Sequence, residues 1–458
     1  MSRAVNPAML WVKILLALTC AEGKQPVQTR ISFTEAFRYW LKLGFISFGG
    51  PTGQIAIMHK DMVEKKKWIE EDHFLQALNF CMLLPGPEAQ QLAIYIGWLL
   101  HGTKGGIVAG VLFVLPSVFI LWGLSWLYAS FKNVPTVDAF FYGLKPAVAA
   151  VVAEAVIRIG KRSLKNEILI STAGLSFIGI YFLHVPFPAI IITAGLIGYA
   201  GGIFLPAKFS VTGNNKHSYP SEYAINDSSS SKRDLANWKH SLKVIALCLP
   251  LWFLPLIFLG LWRGWNNIFV DIGILFSKAA MVTFGGAYAV LAYISQQAVS
   301  HYGWIQPEQM MDGLGLAETT PGPLIMVTQF VGYLAAYTHA GGLQPSVAGA
   351  IGGLLTTWVT FVPCFMWIFV GAPYMERVRK NARLGAALST ITAAVVGVVL
   401  NLSVIFTYHV LLPEGKGFDW YALAASVVAF IGMLRFKWGM IPVIIASALA
   451  GYIWKMFL

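Results

Sequence analysis

Charge is what this chain has least of. Asp, Glu, Lys and Arg together make up 12% of 458 residues, about half the usage of ordinary soluble proteins, and that excludes a soluble globular domain with a solvated surface. Cysteine is sparse as well. Cys20, Cys81, Cys248 and Cys364 lie far apart and form no C-x-x-C pair, which excludes a disulfide framework and a thiolate metal site. The nine histidines are scattered. No nucleotide-binding loop, G-x-S-x-G elbow or metal-ligand cluster occurs, so the sequence predicts no cofactor, no metal and no enzymatic chemistry. The net charge of +12 does not point to nucleic acid, because Lys and Arg collect in loops between apolar runs, where they set orientation. The expected partner is the lipid bilayer.

Apolar sequence is what fills the chain, at 57% of positions even without glycine. Runs such as 105–131, 347–370 and 384–408 are long enough to span a membrane and recur with short polar gaps. The expected fold is an all-α polytopic membrane protein. Residues 1–30, with an apolar run at 8–20 behind Arg3, form an N-terminal extension to which no function attaches.

Within this apolar sequence, NFCMLLPGPEAQQLAIYIGW at 79–98 contains Pro85-Gly86-Pro87, which cannot continue a helix. The tripeptide returns at Pro321-Gly322-Pro323. A shift of 236 residues carries one half onto the other: Lys42, Phe48, Gly49, Gly50, Trp68, Ile69 and the first PGP fall on Lys278, Phe284, Gly285, Gly286, Trp304, Ile305 and the second. Beyond PGP the shift becomes 247, and Gly106, Pro116 and Ala147 meet Gly353, Pro363 and Ala394. The expected organisation is a first membrane repeat at 31–205, a polar basic linker at 206–243 containing SSSSKR, and a second repeat at 244–458.

Basic loops alternate between the copies. HKDMVEKKKW in the first aligns with lysine-free SQQAVSHYGW, and RIGKRSLK with cation-poor TYHVLLPEGKGFDW, whereas ERVRKNARLG and RFKW of the second oppose FKNVPTVD and HVPF. The positive-inside rule then predicts two repeats of inverted topology. Residues 33–47 give only about 22 Å of helix against a core of about 30 Å, so FGG and PGP are expected to turn helical hairpins that enter and leave on one side.

Such breaks suit an anion. Helix starts inside a membrane present N–H groups and a positive dipole end. Pro51, Pro87 and Pro323 can each begin the second arm of a hairpin, and Gly49, Gly50, Gly86, Gly285, Gly286 and Gly322 allow close backbone approach. A capping box from Ser32 to Glu35 starts a helix that carries Arg38 and Lys42 on one face, with Lys42 and its repeat partner Lys278 at depth. Snorkelling explains Arg38 more readily than the duplicated lysines. Gln90, Gln91, Thr319, Thr320, Thr328 and Gln329 border the PGP breaks and suit either a ligand or interhelical bonding. Glu88 and Glu318 are carboxylates at the breaks that can take up protons, although Glu88 is also an ordinary first-turn acid. Glu154, four residues before Arg158, reads as a structural ion pair, and Gly102/Gly106/Gly110 and Gly349/Gly353 as packing faces.

At FRYWLKLGFISFGGPTGQIAIM, KKKWIEEDHFLQALNFCMLLPGPEAQQLAIYIGW, FSKAAMVTFGGAYAVL and TTPGPLIMVTQFVGY the sequence resembles the chromate ion transporter family in its long two-domain form, over roughly residues 31–455. The resemblance implies export of chromate across the bacterial cytoplasmic membrane, driven by an ion gradient, with sulfate as an exchange partner or alternative substrate. It supports a binding role for Lys42, Phe48, Gly49, Gly50, Pro51, Pro85, Gly86, Pro87, Glu88, Gln90 and Gln91, and for Lys278, Phe284, Gly285, Gly286, Thr320, Pro321, Gly322 and Pro323. The residues alone reach an oxyanion transporter; a proton-coupled cation exchanger is the rival, with only Glu88 and Glu318 in its favour. A homodimer stays open as the assembly.

Overall fold

A computed structural model describes residues 31–206, 238–375, 381–413, 415 and 417–457. The extension at 1–30 and residues 207–237 of the linker lie outside the described residues. The described chain is all-α, as a bilayer requires of a chain that does not close a barrel, because a helix satisfies its own backbone polar groups.

The first half runs α1 (Phe33–Ile46), α2 (Gly50–His59), α3 (Glu71–Cys81), α4 (Glu88–Phe131), α5 (Pro135–Ser163), α6 (Glu167–Tyr181) and α7 (Phe187–Phe204). Helix α8 (Trp238–Arg263) stands between the halves and begins inside the stretch assigned to the linker. The second half runs α9 (Ile268–Val282), α10 (Ala287–Ser295), α11 (Pro307–Thr319), α12 (Val327–Thr338), α13 (Pro345–Gly371), α14 (Ala382–Leu411), α15 (Trp420–Phe436) and α16 (Met440–Phe457). Among the described residues, α4, α5, α7, α8, α13, α14 and α16 are long and apolar enough to cross a membrane.

Ser32 caps α1 as its sequence suggests, its hydroxyl accepting the Glu35 N–H at 3.2 Å. Helix α4 is two arms folded back on each other, with Gly97 against Gly105 and Ala109, and Ile94 against Gly106 and Gly110. His101 and Gly102 are non-helical, with Gly102 at φ +65°, so the expected 102-106-110 face is interrupted at its first member. Gly106 and Gly110 do pack closely, against Phe369 and Phe365 of α13.

The repeat is visible in the backbone itself. Helices α2 and α10 each run into a π turn, Lys60–Lys65 and Gln296–His301. The bonds that close them correspond: Lys66 N–H to Asp61 O with Tyr302 N–H to Gln297 O, and Trp68 N–H to Met62 O with Trp304 N–H to Ala298 O. Because π turns are rare, two at one sequence offset mark a copied backbone.

The halves interlock. Helix α5 packs on α14, α15 and α16 of the second half, while α14 packs on α5, α6 and α7 of the first. Helix α1 lies along α4 and α9 along α13; at Gly44 a Cβ would meet Leu112 O at 2.2 Å, so only glycine lets α1 approach α4 that closely. The outer surface carries Leu175, Leu196, Leu247 and Leu261, each 66–73% exposed, for which lipid is the natural solvent. Trp238 at one end of α8 and Trp262 and Trp265 at the other bracket it as interfacial aromatics do.

Candidate functional site

The four breaks meet in pairs, and each pair joins opposite halves. At the first FGG, Ser47 (φ −79°, ψ 73°) makes a tight turn in which the Phe48 N–H donates to Ile46 O at 3.0 Å. Thr283 (φ −77°, ψ 84°) does the same, with the Phe284 N–H on Val282 O at 3.0 Å. Both are inverse γ-turns. Each hydroxyl reaches back to the carbonyl four residues earlier, Ser47 to Leu43 and Thr283 to Ala279, at 2.6 Å in both.

These turns aim the Ser47 and Thr283 carbonyls across the halves, at the glycines of PGP. The Gly322 N–H donates to Ser47 O at 2.7 Å, and the Gly86 N–H to Thr283 O at 2.8 Å. Both glycines have positive φ, +109° and +130°, which orients the N–H and which side chains rarely tolerate. Gln54 of α2 donates to Ser47 O at 3.2 Å and to Gly322 O at 2.5 Å. Ser117 of α4 donates to Pro321 O at 2.6 Å, and Gln91 to Pro85 O at 2.8 Å. Gln54, Gln91 and Ser117 are buried.

PGP is therefore a latch between the halves. The glycine N–H groups of PGP are thus engaged within the protein, each by a carbonyl of the other half. Pro87 and Pro323 stand at N-cap positions, one residue ahead of α4 and of the 3₁₀ turn Leu324–Met326, while Pro51 lies in the first turn of α2. Most polar residues flanking PGP bond between or within helices. Gln329 donates to Val118 O at 2.8 Å and accepts from Thr357 at 2.9 Å. Thr319 and Thr320 bond back into α11, and Gln90 points at Gly110 O, 3.5 Å away. Glu88 opens α4, partly buried, with Arg162 as its charged neighbour.

The FGG breaks are open where the PGP breaks are closed. A Cβ added to Gly50 or Gly286 would meet nothing within 4 Å, and one on Gly49 only the Gly53 Cα at 3.8 Å. Gly285 is closer to the protein, with Val395 at 3.4 Å. No side chain caps α2 or α10, so the positive ends of two helices face accessible space. Phe48 and Phe284 border that space, each partly buried. Lys42 and Lys278 lie five residues before Ser47 and Thr283, about 7.5 Å back along the axis. Both side chains are exposed. The structure leaves them out of the buried crossing and sets each on the helix that delivers a crossing carbonyl.

Gln54 and Ser117 were invisible to sequence reasoning, although the alignment of Pro116 with Pro363 pointed near one of them. The residues that follow those prolines, Ser117 and Cys364, pack against Gly322 and Gly86 respectively. A second feature that sequence reasoning missed is Asp312 and the buried tyrosine partners of the two acids of α11. Asp312 of α11 accepts from the Tyr128 hydroxyl at 2.8 Å and has Lys145 Nζ at 4.0 Å. Glu318 accepts from Tyr288 at 2.5 Å. The expected Glu154–Arg158 pair is present at 3.3 Å. Among the described residues, no three His, Cys, Asp or Glu gather as a metal site would require.

The profile of the chromate transporter family matches residues 34–199 and 270–452, one stretch in each half. The chain is 27% identical over 439 residues to a chromate transport protein of Cupriavidus metallidurans, covering 94% of this chain and 95% of that one. It is 27% identical over 445 residues to a chromate transport protein of Pseudomonas aeruginosa, covering 94% of each. An uncharacterized transporter of Methanocaldococcus jannaschii is 26% identical over 441 residues, 95% of this chain and 98% of the relative. No solved structure matches.

Proposed function

The chain belongs to the chromate transporter family, and from that premise we propose that it is a secondary transporter exporting chromate across the bacterial inner membrane, driven by an ion gradient and conferring chromate resistance. The observation that carries this reading is the open pair of FGG breaks. Two uncapped helix starts with room beside Gly50 and Gly286, each preceded by a lysine, offer positive potential. A tetrahedral dianion matches that arrangement in charge and in its need for several N–H donors. The PGP latches then hold the halves in register around the site. Sulfate has the same charge and shape, so it is the natural competitor.

In everted membrane vesicles, chromate uptake is expected to fall with excess sulfate and to persist under the same excess of chloride. Equal inhibition by chloride would remove the dianion site from consideration.

The halves are inverted in this reading, and α8 supplies the inversion. Between α1 and α9, the two hairpins return the chain to the side it left. The long arm of α4, then α5 and α7, are long enough for three crossings, the shorter apolar α6 is counted in this reading as a fourth, and α8 makes a fifth. An odd number puts the second repeat upside down, the arrangement of many secondary transporters. Single cysteines at 65–67 are expected to react with an impermeant thiol reagent only from the cytoplasm, and those at 300–306 only from outside. Labelling of both from one side would show that the copies are parallel.

A further inference from the structure

Glu318 sits in the last turn of α11, four residues before the latch glycine Gly322, and is 2% exposed. One carboxylate oxygen accepts from the Tyr288 hydroxyl at 2.5 Å; the other, Oε2, is buried with no hydrogen-bond partner. The charged groups that face it are Arg158 and Glu154 of α5, and those two pair with each other at 3.3 Å. Asp312, one and a half turns earlier, differs: Lys145 stands 4.0 Å away. An ionised carboxylate buried with half its acceptors empty is costly, while the protonated acid is tolerated.

The duplicated scaffold does not need this cluster. At the repeat-equivalent positions, Tyr288 and Glu318 are matched by Thr52 and Met82 at the 236 offset, and Glu154 and Arg158 by Asn401 and Ile405 at the 247 offset. The crossing bonds, Gly322 N–H to Ser47 O and Gly86 N–H to Thr283 O, are copied, but this cluster of two groups from each half occurs once. A repeated backbone with unrepeated acid chemistry separates what holds the fold from what has been added to it.

We propose that Glu318 is the proton-binding residue that couples the pH gradient to oxyanion movement, with Tyr288 as its positioning partner and Arg158 as the cation it gains on ionising. The proposal rests on the transporter reading above. With the latch seated as here, Gly322 on Ser47 and Ser117 on Pro321, Glu318 holds its proton on Oε2. Loss of that proton to water leaves a charge that is relieved when the hairpin shifts toward Arg158, which then leaves Glu154. The same shift pulls on Gly322 and so reaches the FGG break that Gly322 is bonded to. One carboxylate thus links protonation to the crossing that frames the anion site.

The test uses the purified full chain in proteoliposomes, with two readouts: chromate–chromate exchange without a gradient, and chromate accumulation driven by a pH gradient. Glu318→Gln is expected to retain exchange and to lose gradient-driven accumulation. Tyr288→Phe removes the hydrogen bond that favours the ionised acid, and is expected to keep both activities while moving the midpoint of the pH profile to higher pH. Accumulation by Glu318→Gln at the wild-type level overturns the proposal, as does an unshifted profile in Tyr288→Phe. If Glu318→Gln does not fold, the Tyr288→Phe profile decides alone. Wild-type exchange with accumulation indifferent to the pH gradient overturns the coupling role but leaves the transporter reading standing. Absence of wild-type exchange with either chromate or sulfate ends both.

Discussion

Gly322→Ala is expected to unseat the two halves and abolish transport. Its Cβ would lie 1.5 Å from the Ser117 Oγ and 2.7 Å from the Ser117 Cβ, on a backbone held at φ +109°. Backbone strain of this kind is worth about 1–3 kcal/mol, and the overlap adds the displacement of Ser117 from Pro321 O. The Gly322 N–H and O are both engaged, with Ser47 and Gln54, so the damage spreads to the opposite FGG turn. Gly286→Ala provides the contrast, since it has positive φ but open space. The melting temperature of the detergent-solubilised protein should fall much further for Gly322→Ala than for Gly286→Ala. Ser117→Gly in the Gly322→Ala background should recover part of the difference by opening room, despite the penalty of glycine in a helix. Equal melting of the two alanine variants would mean that PGP is not a latch.

Loss of both lysines is expected to have the largest effect on the anion itself. Lys42→Gln with Lys278→Gln removes two charges and keeps the side-chain length, and should raise the chromate Kd roughly a hundredfold, about 3 kcal/mol. Exposed ion pairs contribute about 0–1 kcal/mol; more is expected here because the ligand is a dianion and both lysines are lost together. Either single variant should show a smaller loss. Lys→Arg should restore binding only in part, because the guanidinium is broader and planar. Arg38→Gln should matter less, one turn further from the break. Equilibrium binding to purified variants of normal stability checks this. Wild-type affinity in the double variant would leave the helix starts as the whole site.

The membrane class, the two copies, the positions of the four breaks, the cap at Ser32 and the Glu154–Arg158 pair were all legible in the sequence. They depend on hydropathy, on backbone freedom at Gly and Pro, and on spacings of three or four residues, and such local physics is written in order along the chain. By the same local signs FGG and PGP looked alike, as two breaks with glycines and uncapped helix starts. Only the tertiary structure separated them. It brought Gly322 to Ser47 and Gly86 to Thr283, closed PGP with Gln54, Ser117 and Cys364, and left Gly50 and Gly286 open. Whether an N–H is free for a ligand depends on which carbonyl comes within 3 Å of it, and here each of those carbonyls belongs to the other half of the chain.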